Sequence, residues 1–166
     1  FSMKQDTIGN VRVQVNTGNN NRYNTNATIT GRGNDISLTG SFAPVGNDID
    51  LDLDLDVRQL QLNTMEGALS GVINNSSGAV NGKIRIDGTT SDPDINGRLN
   101  FDNASFALTL LGSQFRIDSE TLAVTEDGFV FDSFTIRDST NNTMVLDGLV
   151  LTNNFINYSF DLDVRA

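Results

Sequence analysis

Apolar and polar residues alternate along most of this chain. The clearest run is NDIDLDLDLDVR, residues 47–58, where Ile49, Leu51, Leu53, Leu55 and Val57 alternate with Asp50, Asp52, Asp54 and Asp56. Successive side chains of an extended strand point to opposite faces, so a period of two predicts strands with one apolar and one polar face. The same period marks Val11, Val13 and Val15, then Tyr23, Ala27 and Ile29, then Ile36, Leu38 and Phe42. Downstream it marks Ile84 and Ile86, then Ile95, Leu99 and Phe101, then Phe106, Leu108 and Leu110. Phe115 and Ile117, Leu122 and Val124, and finally Ile156, Tyr158, Phe160, Leu162 and Val164 continue it. The phase slips at VRQLQL, where Leu60 and Leu62 are even-numbered, and a bulge or strand end is the expected cause. It slips again from Phe129 and Phe131 to Phe134 and Ile136, and MVLDGLVL is apolar on both parities.

Turn chemistry separates these runs. GRGND, NNSSG and GTTSDPD carry Gly, Asn, Ser and Pro, and Asn suits turns because its side chain bonds local backbone and tolerates left-handed conformations. TMEGALSGVI predicts one short helix, since Met65, Leu69 and Val72 recur at helical spacing, although two glycines weaken it. About ten to twelve strands with short connections predict a mostly antiparallel all-β domain, because parallel crossovers need longer links. No composition shift or long Pro/Ser tract marks a linker, so residues 1–166 read as one domain. FSMKQDTIGN is not a signal peptide and the chain closes inside a strand at FDLDVRA, which suggests a fragment of a longer protein.

A longer echo runs through the pattern. ATITGRGNDISLTGSFAP leads into a strand ending DLDVR at 54–58, and FTIRDSTNNTMVLDGLVL leads into a strand ending DLDVR at 161–165. Repetition of a strand, turn, strand, turn, strand unit suggests a sheet that grows by adding modules.

Charge removes several function classes. The net charge is −10 and the pI near 4.2, which argues against nucleic acid and against electrostatic attraction to anionic headgroups. The chain has no Cys and no His, so the thiol nucleophile and the commonest general base are missing. No pair of carboxylates stands out for glycoside chemistry, and the residues point to no catalytic constellation and no cofactor. Carboxylates at Asp50, Asp52, Asp54 and Asp56 are hard-cation ligands in type. Their spacing along one strand face is about 7 Å, and no EF-hand or Gly-x-Gly-x-Asp repeat accompanies them. They read as a solvated face that also discourages edge-to-edge aggregation, with no metal.

An apolar face this regular has two uses. It can pack on a second sheet about 10 Å away in a sandwich, or it can line a trough for a guest. The absence of Trp and the concentration of Phe after residue 100 strain the sandwich. An acyl chain gains about 0.8 kcal/mol per buried methylene, roughly 12 kcal/mol for a sixteen-carbon tail. A bilayer offers a similar gain, so transfer between trough and bilayer is nearly level.

GKIRIDGTTSDPDINGRLNFDNASFAL, residues 82–108, and the downstream TLLGSQFRID and EDGFVFDSFTIRDSTNNTMVLDGLVLTNNFINYSFDLDVRA resemble the C-terminal region of TamB proteins, in the AsmA-like group, as found in Bacteroidetes-type sequences. The resemblance is strongest over 67–166, and residues 1–66 match only in style. It implies a long β-sheet curled into a taco or half-barrel with an apolar concave groove. It also implies a periplasmic protein anchored in the inner membrane of a Gram-negative bacterium. The function implied is shielding phospholipid acyl chains between the membranes, with a TamA-type outer-membrane barrel as partner. The alternative implied is assembly of outer-membrane β-barrel proteins, with client strands binding a sheet edge.

One-sided alternation and the resemblance together predict the groove residues. They are Leu51, Leu53, Leu55 and Val57, then Ile84 and Ile86, then Ile95, Leu99, Phe101, Phe106 and Leu108. Phe115 and Ile117, Phe129, Phe131, Phe134 and Ile136, and Tyr158, Phe160 and Leu162 complete the set. A closed sandwich without a cavity and a transmembrane barrel are the rival architectures.

Overall fold

The computed structural model of the protein describes residues 8–67, 69, 71–153 and 157–166. The alternating runs become ten strands: β1 (Asn10–Thr17), β2 (Tyr23–Gly31), β3 (Asn34–Val45), β4 (Asp48–Gln61) and β5 (Ile73–Thr89). They continue as β6 (Pro93–Leu108), β7 (Ser113–Thr125), β8 (Gly128–Asp138), β9 (Thr143–Asn153) and β10 (Asn157–Arg165). All belong to one open sheet whose spatial order is the order of the sequence, β1 to β10. Every neighbouring pair is antiparallel. Among the described residues the ten strands thus form one open, unclosed sheet, neither a two-sheet sandwich nor a closed barrel.

Helical spacing at Met65, Leu69 and Val72 misleads. Instead of a helix the chain makes a 3-10 turn, Leu62–Thr64, followed by hydrogen-bonded turns. Met65 N–H bonds the Leu62 carbonyl and Leu69 N–H bonds the Met65 carbonyl, both at 2.9 Å. Leu69 and Val72 remain exposed, so no apolar stripe is buried that would sustain a helix. Glu66 ties this segment to β5, accepting from Ser76 N–H at 2.6 Å and from its hydroxyl at 2.5 Å.

The phase slip after Val57 is a bulge. Ladder pairs jump from Val57–Gly82 to Leu60–Val80, leaving Arg58 and Gln59 opposite one residue. The slip between Phe131 and Phe134 is a second bulge, against Asp147 of β9. There Ser133 takes a positive φ of 50°, and its N–H donates to Asp147 Oδ1 at 2.6 Å. Asn75 in β5 and Asn103 in β6 also sit at positive φ, 55° and 45°. Asn is one of the few residues that reach this region at low cost. Some of the asparagines therefore bend strands instead of closing turns.

These irregularities keep the large side chains on one face while the strand phase changes. Ala104, Ile117, Leu122 and Phe134 form a buried cluster, with Leu62, Leu99, Phe101, Phe106, Phe129, Phe131, Ile136 and Leu146 packed around it. Phe134 is only 2% exposed. Its ring meets Phe101 edge-on at 5.7 Å and Phe131 at 5.2 Å. Phe101 lies on β6 and Phe134 on β8, whose backbones in a flat sheet stand roughly 9–10 Å apart. Rings that close across an intervening strand show that the sheet curls toward its apolar face.

Glycines permit the curl. At Gly40 φ is +141° and an added Cβ would lie 2.0 Å from the Asp52 carbonyl oxygen. At Gly148 φ is +124° and the Cβ would lie 2.2 Å from the Asp161 carbonyl oxygen. Both glycines sit on the apolar face, opposite Leu53 and Leu162, where a missing side chain lets the sheet bend inward. The two echoing sequence units are thus two three-stranded meanders, β2–β3–β4 and β8–β9–β10, each with a glycine facing a leucine.

Candidate functional site

Register turns separate alternations into one surface. A single row crosses all ten strands: Val13, Ala27, Leu38, Leu55 and Ile84, then Gly97, Val124, Phe129, Val150 and Phe160. Each residue pairs with the next, and none is polar. A parallel row runs Val11, Ile29, Ile36, Val57, Gly82, Leu99 and Leu122. Nine strand spacings of roughly 4.8 Å make the ten-residue row about 43 Å long.

The sequence-predicted positions fall into two zones of this face. Leu51, Leu53, Leu55, Ile84, Ile86 and Ile95 are half-buried on β4, β5 and β6, with Leu53 beside Ile86 and Ile86 beside Ile95. Val57 is buried where the first bulge begins. Leu99, Phe101, Phe129, Phe131 and Ile136 are half-buried against the aromatic cluster, where Ile117 and Phe134 are fully packed. Phe115 is buried and stacks obliquely on Phe106 at 6.3 Å, while Leu108 lies beside Ile73. At the far edge Phe160 is 73% exposed and Leu162 is half-buried. The backbone of Tyr158 pairs with Thr152; its side chain, and all of Ile156, lie outside the described residues. Val11, Val13, Ala27, Leu38, Val124 and Val150 extend the surface beyond the predicted set. Alternation was the available signal for all of these but Val150, and nothing in it shows that ten strands share one row.

Burial on this face is incomplete. Among the described residues, Val57, Val80, Phe115, Ile117, Leu122, Val124 and Phe134 are buried, while Val11, Val13, Val15, Ile49, Phe160 and Val164 of the strands on this face are exposed. A face used only as a core would leave few such side chains exposed.

The other face is a lattice of ion pairs. Arg22 donates to Asp50 at 2.6 Å. Arg85 bridges Asp52 and Asp54, with its Nη1 donating to Asp54 Oδ2 at 2.8 Å, and its Nε also reaches Asp87 at 2.8 Å. Lys83 stands 3.7 Å from Asp56, and Arg58 binds Asp35 through two nitrogens. Hydrogen bonds from Arg85 to the Asp87 carboxylate first and to Asp52 second hold its pKa above the ordinary value. Every carboxylate of the ladder at 50–56 thus has a cationic partner. Among the described residues, no group of three or more acidic side chains is placed to hold a metal. A depression of about 820 Å³ on this face is rimmed by Asp56, Arg58, Lys83 and Arg98, charged groups unsuited to hydrocarbon.

No helix among the described residues is long and apolar enough to cross a membrane. The family profile of the TamB C-terminal domain matches residues 11–128, which is β1 through the start of β8. It begins well before residues 67–166, where the sequence resemblance is strongest, and overlaps them over 67–128. Neither the curated proteins nor the solved structures yield a match.

Proposed function

This chain belongs to the TamB family, and from that premise we propose that its apolar face shields phospholipid acyl chains on their way between the inner and outer membranes. The family's proteins are periplasmic, anchored in the inner membrane and associated with the translocation and assembly module and its TamA-type partner. The observation that carries the proposal is the unbroken ten-residue apolar row on a face that its own chain covers only in part. A row of about 43 Å exceeds the roughly 30 Å hydrocarbon thickness of a bilayer, so an acyl chain is screened from water over its whole length. The contacts are apolar and non-directional, which lets a chain slide from one strand to the next without breaking hydrogen bonds. Leu51, Leu53, Leu55, Ile84, Ile86 and Phe160 contact the guest in this reading. The packed cluster around Phe134 holds the curl that makes the trough.

Site-specific photocrosslinking in cells tests it. A crosslinker at Leu53 is expected to capture phospholipid, and one at Asp54, on the opposite face of the same strand, is expected to capture none. Equal labelling at both positions, or no lipid at Leu53, overturns the proposal.

A further inference from the structure

One corner of the sheet carries no charge. Residues 67–82 and 103–115 contain no Asp, Glu, Lys or Arg, and register brings the two runs together. The first half of β5 pairs with the second half of β6, from Ile73 beside Leu108 to Ser77 beside Ser105. β6 then passes through the turn at 109–112 into β7, with Leu108 beside Ser113 and Phe106 beside Phe115. This turn projects two leucines, Leu110 93% and Leu111 61% exposed. Thr109 N–H donates to the Val72 carbonyl at 3.0 Å, which sets Val72, itself exposed, beside them. β5 and β8 flank the hairpin within the sheet, so the projection is a property of the turn and not of a sheet edge. The nearest charges are already engaged: Glu66 accepts from Ser76, and Arg116 donates to Asp118 at 2.7 Å. The turns of the opposite rim, by contrast, hold or adjoin Asp48, Asp92, Glu126 and Asp127.

We propose that the β6–β7 hairpin tip is a membrane-contact element that enters the interface of a zwitterionic bilayer, with Leu110 and Leu111 as the inserted side chains. Shallow insertion into the boundary between headgroups and acyl chains needs a few apolar side chains. It also needs a tip without charge, because each charge carried into that region is costly. The backbone of the turn is largely satisfied inside the protein. Leu111 and Gly112 N–H donate to the Leu108 carbonyl at 3.1 and 2.9 Å, and the Ser113 hydroxyl donates to the Leu111 carbonyl at 3.3 Å. A protein partner is the poorer occupant. A stable interface takes roughly 20–30 residues a side, and this tip offers little beyond Leu110, Leu111 and Val72. The net charge of −10 keeps the rest of the molecule away from anionic headgroups, so attachment is by the tip alone. This inference rests on the rim of the sheet, and is independent of what the apolar face carries.

The chain has no Trp, so Leu110→Trp supplies a single-site reporter in the full 166-residue chain, mixed with phosphatidylcholine vesicles. Its emission is expected to shift to shorter wavelength and to be quenched by brominated acyl chains, and the protein is expected to sediment with the vesicles. The Leu110→Ser, Leu111→Ser double variant is expected to lower vesicle affinity by at least about tenfold, since both inserted leucines are lost. Both side chains are exposed, and an unchanged circular dichroism spectrum verifies that the variant folds. Val45→Ser, at a residue 55% exposed on the opposite rim, is expected to bind as the parent chain does. Phosphatidylglycerol in the vesicles is expected to weaken binding at low salt. Absence of vesicle binding, an equal loss in Val45→Ser, or binding strengthened by the anionic lipid overturns the proposal. So does a Trp shift that stays with soluble protein after the vesicles are pelleted, which would show a carried lipid at the tip in place of a bilayer. Concentration-dependent self-association without vesicles, abolished by the double variant, overturns it too, because a second copy is then the occupant.

Discussion

Replacing Phe134 by Ala is the sharpest test of how this sheet is held in its curve. Phe134 is 2% exposed and sits edge-on to Phe101 at 5.7 Å and to Phe131 at 5.2 Å. Truncating a buried Phe costs about 3–5 kcal/mol through lost transfer energy and the cavity left behind. Two edge-to-face partners, each contributing about 0.5–1.5 kcal/mol beyond area, put the expected loss near the top of that range. Phe160 is the control. With 73% of it already exposed, truncation removes about a quarter of a burial energy of roughly 1.5–3 kcal/mol, or about 0.4–0.8 kcal/mol. In equilibrium urea unfolding with a slope of about 2 kcal/mol/M, the Phe134→Ala midpoint should fall by about 2 M and the Phe160→Ala midpoint by less than about 0.5 M. Lipid capture should order the two the other way under conditions where both are folded, with Phe160→Ala the weaker binder. Equal midpoint shifts, or a Phe134→Ala loss below about 1 kcal/mol, would refute the claim that this cluster sets the curvature.

Other consequences are as direct. Gly40→Val places a branched side chain at φ +141° with its Cβ 2.0 Å from the Asp52 carbonyl oxygen. It should lower the melting temperature far more than Gly46→Ala, where φ is +64° and no atom lies within 4 Å. Asn34 is 4% exposed and donates to the Ile8 carbonyl and Thr64 hydroxyl while accepting from Gln61 N–H at 2.7 Å. Asn34→Ala should cost about 1–3 kcal/mol in urea unfolding by orphaning those groups. Hydrogen bonds hold Glu66, Asp138 and Asp147 below their ordinary carboxylate values, from Ser76, from Asn142 and Thr140, and from Ser133 and Arg165 respectively. Groups lowered on folding stabilise fully above their unfolded values, 4.5 for Glu and 3.8 for Asp, and lose that contribution as pH falls through the folded ones. The urea midpoint should therefore be flat with respect to these groups from pH 7 to about 5 and decline below about pH 4.

Strand existence was legible because it follows from local alternation. The bulge after Val57 was legible too, since a bulge moves apolar residues to the other parity. The helix expected at Met65 was not, because spacing alone cannot distinguish an amphipathic turn from residues that happen to recur. Leu69 and Val72 turn out to face solvent. Asn75, in NNSSG, looked like a turn residue and lies within a strand, a distinction that depends on whether flanking residues find ladder partners. Pairing of the Asp ladder was invisible for another reason. The cations of Asp50, Asp52 and Asp54 come from Arg22 and Arg85, 28 and 31 to 33 residues away, and meet them only once register is set. The ten-residue row is the same kind of fact. It depends on every turn length and bulge at once, so it emerges from the folded sheet and not from any one stretch of the chain.

Strands that lie side by side in the order of their synthesis have an evolutionary corollary. Inserting or deleting one hairpin changes the span of the trough by about 10 Å and leaves every other neighbour relation intact. The reach of the apolar face is thus set by how many hairpins its gene encodes. Duplication of a unit like the pair of meanders ending in DLDVR alters that reach in one step.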